Sequence, residues 1–350
     1  MIAIAPPRWA PSRRSLAAGL GALALLAAGP AMAQQRDAVR FGTNWVAQAE
    51  HGGFYQAVAD GTYARYGLDV TIVPGGPQVN NRLLLAAGKL DFYLGGNLIQ
   101  AFNAVAQNVP TVVIAGIFQK EPQVLLAHPK QDIDDFGDLR AAPIYVSKDG
   151  LATYYQWLKQ AHGFTDAQVR PYTFNLQPFL ADKKSAVQGY VTSEPFAIEK
   201  QGQFRPKIFL LADHGFDTYG ATIDTRRDLI EEKPDLVARF VDASIIGWYN
   251  YLYGDNKPGN ALIKQQNPEM TDALLAHALE KMKSYGIVDS GAALTDGIGA
   301  MNADRIAGFF DKMAKAGVVD SNVDFRRAFT LRFVNKGVGL DLRPATTPKN

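Results

Sequence analysis

Residues 39–73 read VRFGTNWVAQAEHGGFYQAVADGTYARYGLDVTIV. Val39–Trp45 opens as an apolar, β-rich run, Gly52–Tyr66 reads as a helix, and Leu68–Val73 alternates apolar with polar residues as a second strand. Strand, helix and strand in that order begin an α/β sheet. The alternation continues with a helix over Asn81–Gly88, a short strand Asp91–Leu94, a helix Leu98–Gln107 and an apolar strand Thr111–Phe118. Such a series predicts a mostly parallel sheet covered by helices on both faces.

Beyond this stretch an apolar run, Val124–His128, and a polar connection over Pro129–Leu139 separate the first series from a second. The second series comprises strands at Ile144–Ser147, Val169–Tyr172, Ala186–Val191 and Lys207–Leu211, with helices at Gly150–His162 and Pro178–Ser185. The expected organisation is α/β with two lobes: lobe I from residues 34–128 and 216–350, lobe II from 129–215, and hinge crossovers near His128 and Gly215. From Leu229 the pattern turns helical, over Pro234–Tyr253, Asn260–Gln266 and Thr271–Tyr285, so lobe I carries a helical C-terminal portion. The polar tail beyond Leu331 is expected to fray.

At 350 residues, 47% hydrophobic and 20% charged, the chain supplies two ordinary cores and is too apolar for a disordered tail. It has no cysteine, which excludes disulfide frameworks, thiolate metal sites and cysteine nucleophiles. Residues 1–33 read as a cleaved export signal: Arg8, Arg13 and Arg14 precede the apolar Leu16–Ala28, and Ala31-Met32-Ala33 ends the segment. Ser12-Arg13-Arg14-Ser15-Leu16 also resembles a twin-arginine start, so both export routes stay open. No later stretch is apolar for the ~18 residues a span requires, and a lipoprotein anchor requires a cysteine. A periplasmic, freely diffusing monomer without a membrane anchor is expected. Removing the signal takes three of 36 basic residues, leaving 33 against 34 acidic ones and a net charge of −1. That balance, with no dense basic run, argues against a nucleic-acid partner.

Three loops lead from a strand into a helix: Trp45–Gly53, Gly95-Gly96-Asn97 and Ser147-Lys148-Asp149-Gly150. In open α/β sheets such loops line the crevice at the carboxyl ends of the strands, where free N–H groups meet polar ligand atoms. Gly96, Asn97 and Ser147 are candidates on that ground. In the first loop Trp45 suits stacking on a planar ligand, and Glu50 and His51 suit hydrogen bonding to it. The plainer readings are a core role for Trp45 and a helix-cap role for His51. Glu121-Pro122 and Glu194-Pro195 each follow an apolar strand, Glu194 being the stronger ligand candidate, and Gln119 stands just ahead of the first pair. Tyr154, the Phe174-Asn175 pair and Tyr219 would furnish walls from the second lobe and the returning segment. The five histidines show no metal-binding spacing, and neither a nucleophile elbow nor a phosphate loop occurs. Binding without catalytic residue, metal or cofactor is the expectation.

These residues together resemble the type II periplasmic substrate-binding proteins of the nitrate, sulfonate and thiamine-precursor group, related to the fungal thiamine-pyrimidine synthase. The likeness rests on Asn44-Trp45 followed by His51, on Gly67-Leu68-Asp69-Val70, on Glu121-Pro122, on Glu194, and on Lys233-Pro234-Asp235 before the long helix. The resemblance implies a hinged two-lobe fold, a ligand in the cleft, and delivery to an ABC permease and its ATPase. The spacing around Trp45 and His51 is nearest the pyrimidine-precursor branch, where an aminopyrimidine stacks on aromatics and bonds to carboxylates. A sulfonate or nitrate ligand is the alternative within the group. A pyridoxal-phosphate-dependent, pyrimidine-synthase-like enzyme is the other alternative, disfavoured because the fungal enzyme carries a lysine and a histidine after its third strand and a cysteine-rich cluster, whereas Gly95 and Ile99 stand in those places here.

Overall fold

The computed structural model describes residues 35–76, 79–130 and 132–344, together with 1–3 and 5. The proposed signal therefore lies almost entirely outside the described residues. From Arg36 onward the chain forms one compact unit built on two five-stranded sheets.

The chain begins with β1 (Asp37–Gly42), β2 (Leu68–Val73), β3 (Phe92–Leu94) and β4 (Thr111–Phe118), then enters a different sheet with β5 (Gln123–Ala127). That sheet continues with β6 (Ile144–Val146), β7 (Val169–Pro171), β8 (Ala186–Tyr190) and β9 (Lys207–Leu210), and β10 (Gly220–Arg226) returns to the first. The strand orders are β2-β1-β3-β10-β4 and β7-β6-β8-β5-β9.

Each sheet contains one reversed strand, a departure from the mostly parallel expectation. β10 runs antiparallel to β3 and β4, and β5 runs antiparallel to β8 and β9. These are the two strands fed directly from the crossovers. A strand entered from the cleft side starts where its neighbours end, so Gln123 pairs with Tyr190 and Gly220 with Phe118. The β-branched sequence of β10 fits a strand buried in mid-sheet, although its alternation is too short to stand out between flanking loops.

The first crossover is also displaced from the expected place near His128. Because β5 bonds to β8 and β9, the chain changes sheet at Gln119–Pro122, and residues 123–128 belong to the second lobe rather than the first. His128 is buried there, its ring 4.4 Å from Phe179 and 4.5 Å from Phe204. An apolar run following another apolar strand carries no mark of which sheet it joins. The return crossover passes through Gly215, whose φ of 107° is open to glycine and costly for other residues.

The stretch expected to form one helix over Gly150–His162 is two, Lys148–Ala152 and Tyr154–His162, broken at Thr153. The last described residues are not frayed. The Arg343 guanidinium donates to both oxygens of Asp289, at 2.6 and 2.8 Å, and pins the tail to lobe I. Among the described residues no helix is long and apolar enough to cross a membrane.

Candidate functional site

The carboxyl ends of β3, β6 and β8 and the crossover Gln119–Pro122 converge on a cavity of about 100 Å³ between the two sheets, lined by polar side chains of both lobes. Asn44, Asn97 and Gln100 come from lobe I, Ser147, Asp149, Tyr154 and Gln188 from lobe II, and Glu121 from the crossover. Phe216, at the return crossover, supplies an aromatic wall. No lysine or arginine is among these lining residues.

Two of the three strand-to-helix loops read from the sequence reach this cavity directly. Asn97 caps the helix Leu98–Ala106, its Oδ1 accepting from the Ile99 N–H at 3.1 Å. Ser147 caps Lys148–Ala152, its Oγ accepting from the Gly150 N–H at 3.1 Å. Gly96 lies beside Asn97 on the cavity wall, and Tyr154 is buried with its hydroxyl donating to Gln188 Oε1 at 2.9 Å. A Cβ on Gly150 would stand 2.7 Å from that same Gln188 oxygen, so only glycine lets the helix start close over it.

The remaining expected site residues do not line this cavity. Glu50 is buried and accepts a short hydrogen bond from the Thr192 hydroxyl, which ties lobe I to lobe II; burial raises its carboxyl pKa. His51 is buried at the start of the helix Gly52–Ala59, and burial depresses its pKa to about 3, so the ring is neutral. Glu194 accepts from the Tyr190 N–H at 2.8 Å and the Ser193 hydroxyl at 2.6 Å, an acidic residue in the first turn of its helix. Gln119 donates to the carbonyls of Gly116 and Ala300 at 2.9 and 2.8 Å, bracing lobe I beside the hinge. Tyr219 is buried beneath the Arg305 guanidinium, and its hydroxyl accepts from the Asn302 N–H at 2.9 Å. Asn175 is exposed and accepts from the Gln177 N–H at 3.0 Å.

Trp45 does not line the cavity but follows Asn44, which does. Its half-buried ring packs against Phe174 of the second lobe, with centroids 5.1 Å apart and planes tilted by 46°. Trp45–Phe174 and Glu50–Thr192 are thus two contacts between the lobes.

Away from the cavity His51 Nδ1 and Gln119 Oε1 are buried and unmatched, and among the cavity-lining residues Glu121 has such an oxygen. Its Oε2 has no hydrogen-bond partner among the described residues, and a Cβ on Gly220 would stand 2.7 Å from it. Burial pushes the carboxyl up to about 8; the nearby Tyr190 hydroxyl opposes the shift, and the nearby Asp149 charge adds to it. Asp149 itself is reachable by solvent yet ringed by cleft walls, and desolvation raises its pKa as well.

Sequence reasoning did not single out Gln100 or Gln188. Gln100 lies one helical turn past the Asn97 cap, and Gln188 is a polar residue inside the buried strand β8, which is the signal that would have marked it.

A family model described as NMT1/THI5 like matches residues 48–256, well over half of the chain. The chain belongs to the NMT1/THI5-like family. Among curated relatives of this family member, the riboflavin-binding protein RibY of Chloroflexus aurantiacus is 24% identical over 315 residues, covering 85% of this chain and 86% of RibY. The periplasmic aliphatic sulphonate binding protein SsuA of Escherichia coli is 16% identical with a TM-score of 0.63, covering 83% of this chain and 91% of SsuA. The desulfurization enzyme DSZB is 13% identical with a TM-score of 0.56, over 85% of this chain and 97% of that one. The α/β architecture is the two-lobe periplasmic-binding-protein fold, and its neighbours include both binders and an enzyme. Fold alone therefore leaves the ligand open, and the cleft residues must decide.

Proposed function

We propose that this NMT1/THI5-like protein is exported to the periplasm and delivers a small, uncharged, planar heterocycle of the pyrimidine class to an ABC permease. The observation that carries this reading is the composition of the cleft. Amides, hydroxyls and the Glu121 carboxyl line the cavity, and no cationic side chain is among its lining residues. A sulfonate or nitrate enclosed there would lose its hydration and meet amides, hydroxyls and acidic side chains with no positive partner, which costs several kcal/mol. A planar ring with N–H and C=O groups meets matching donors and acceptors. The cavity of about 100 Å³ is well below the ~300–1,000 Å³ of drug-sized pockets, so it admits one six-membered ring, the whole of a pyrimidine or the pyrimidine end of a flavin.

The family role in transport, the signal read at residues 1–33 and the inter-lobe contacts support capture by closure around the ligand. Binding rather than catalysis is the activity proposed. A melting-temperature screen of the purified mature protein against oxo- and aminopyrimidines, flavins, alkanesulfonates and nitrate tests the ligand class. Stabilisation by a pyrimidine or flavin is expected, because a ligand bound only by the folded state raises its stability. Stabilisation by a sulfonate or nitrate alone would overturn the reading.

Trp45 provides a second check on closure. Trp45→Ala removes its contact with Phe174, and an aromatic pair of that kind is worth about 0.5–1.5 kcal/mol. The expected result is a Kd raised about three- to tenfold in titration calorimetry, with a melting temperature close to that of the parent. A large loss of melting temperature with unchanged Kd would instead make Trp45 a core residue of lobe I.

A further inference from the structure

The amide side chains of the cleft are not free to choose which end they present. Gln188 Oε1 accepts from the Ser147 backbone N–H at 2.6 Å as well as from Tyr154. Gln100 Oε1 accepts from the Gly96 backbone N–H at 3.2 Å and from Arg82 Nη2 at 3.0 Å. Backbone N–H and guanidinium groups can only donate, so each amide oxygen must face them, whichever way the amide is drawn. Arg82 is itself held by Asp224 at 3.2 Å and by the Gln100 carbonyl at 3.1 Å, which fixes it behind Gln100 as a positioning residue.

The other end of each amide is therefore an NH₂ group, and neither Gln100 Nε2 nor Gln188 Nε2 has a partner among the described residues. Both side chains line the one small cavity, Gln100 from lobe I and Gln188 from lobe II. Between the lobes, at the crossover, Glu121 offers its unpartnered, buried Oε2. Gln123, with its Nε2 committed to the Gly189 carbonyl at 2.9 Å, also leaves its oxygen as an acceptor.

We propose that the cleft reads an imide edge, a ring N–H flanked by two C=O groups, with the Gln100 and Gln188 amides donating to the carbonyl oxygens and the carbonyl oxygen of the protonated Glu121 carboxyl accepting from the N–H. The assignment rests on the pyrimidine-class reading above and narrows it to 2,4-dioxopyrimidines and rings that carry the same edge. An amino group at the position of either carbonyl would put an N–H donor against an amide N–H and leave both without an acceptor. Rejection of such mismatches is strong in a buried site, because unpaired polar groups retain their full desolvation cost.

The test is a calorimetric titration series on the mature protein with uracil, 3-methyluracil, cytosine, riboflavin and lumichrome, repeated on Gln188→Glu and Gln100→Glu. Each glutamate keeps the oxygen that accepts from Ser147 or Gly96 and replaces only the donating NH₂, so melting temperatures report whether the fold is retained. Ligands with a free imide edge should bind the parent at least tenfold more tightly than cytosine or 3-methyluracil. Each variant should weaken them at least tenfold, and Gln188→Glu should narrow the preference over cytosine. The parent ligand series stands by itself if a variant fails to fold. Equal or tighter binding of cytosine, indifference to 3-methylation, or folded variants with unchanged affinity would overturn the imide assignment while leaving the pyrimidine class intact. Failure of every ring to bind would overturn both.

Discussion

Phe240→Ala should lower stability by about 3–5 kcal/mol, the range for deleting a fully buried aromatic ring. Phe240 is fully buried on the helix Pro234–Tyr253, its ring stacked on Phe92 at 3.9 Å and on Tyr63 at 5.4 Å, with Phe41 edge-on at 5.3 Å. Phe41 lies on β1 and Phe92 on β3, so one ring joins the long helix to two strands of the first sheet. The cavity left by alanine cannot close without moving those strands. Their carboxyl ends carry Asn44 and Gly96 into the cleft, and ligand affinity should fall with stability. Urea titration of the variant, with the slope checked against the parent, gives the measurement. A loss below about 1 kcal/mol would mean that the aromatic stack is not what couples helix to sheet.

Glu121→Gln should have the opposite sign. The unfolded carboxyl releases its proton near 4.5 and the folded one near 8. Between those values the native state holds a proton that the unfolded state has lost, so stability falls as pH rises through that window. The whole interval corresponds to roughly 3–5 kcal/mol of lost stability above pH 8. Glutamine keeps the shape and has no proton to lose. The variant should therefore melt several degrees higher than the parent at pH 8.5, and the difference should shrink towards pH 4.5. His51 contributes a slope of the other sign: its folded pKa near 3 lies below the ordinary 6.5, so stability is lost as pH falls from 6.5 towards 3. Both chains share His51, so their difference isolates Glu121. Parallel melting curves from pH 4.5 to 8.5 would show that the buried carboxyl has found another partner. A group that costs stability yet remains buried at the cavity fits the proposed site, where a ligand would supply the missing hydrogen bond.

The legibility of the site followed the physics of each residue. Asn97 and Ser147 were readable because helix caps have a local signature, and the helix starts they cap point into the cleft. Glu50 and Glu194 carried an equally attractive local signature, but their carboxylates are engaged by Thr192 and by the Tyr190 N–H respectively. Which partner a carboxylate finds across 142 positions of chain, as Glu50 does, is not encoded in its neighbours. The same holds for Trp45, which in the sequence suits either stacking on a ligand or a core role and whose half-buried ring rests on Phe174 of the other lobe. Gln188 shows the converse, since its importance appears only when Ser147 and Tyr154 are seen to fix its oxygen.

By itself the sequence determined the α/β class, the two successive series of strands and helices, the helical C-terminal portion and the exclusion of cysteine chemistry. Hydrophobic periodicity and turn residues are local, and they fix element type wherever a segment is long enough. Only the tertiary structure decided that β5 and β10 run against their neighbours, that the first crossover lies at Gln119–Pro122, and which polar ends face the cleft. Those features depend on pairing between distant segments, where backbone donors that can only donate force the orientation of every amide they meet.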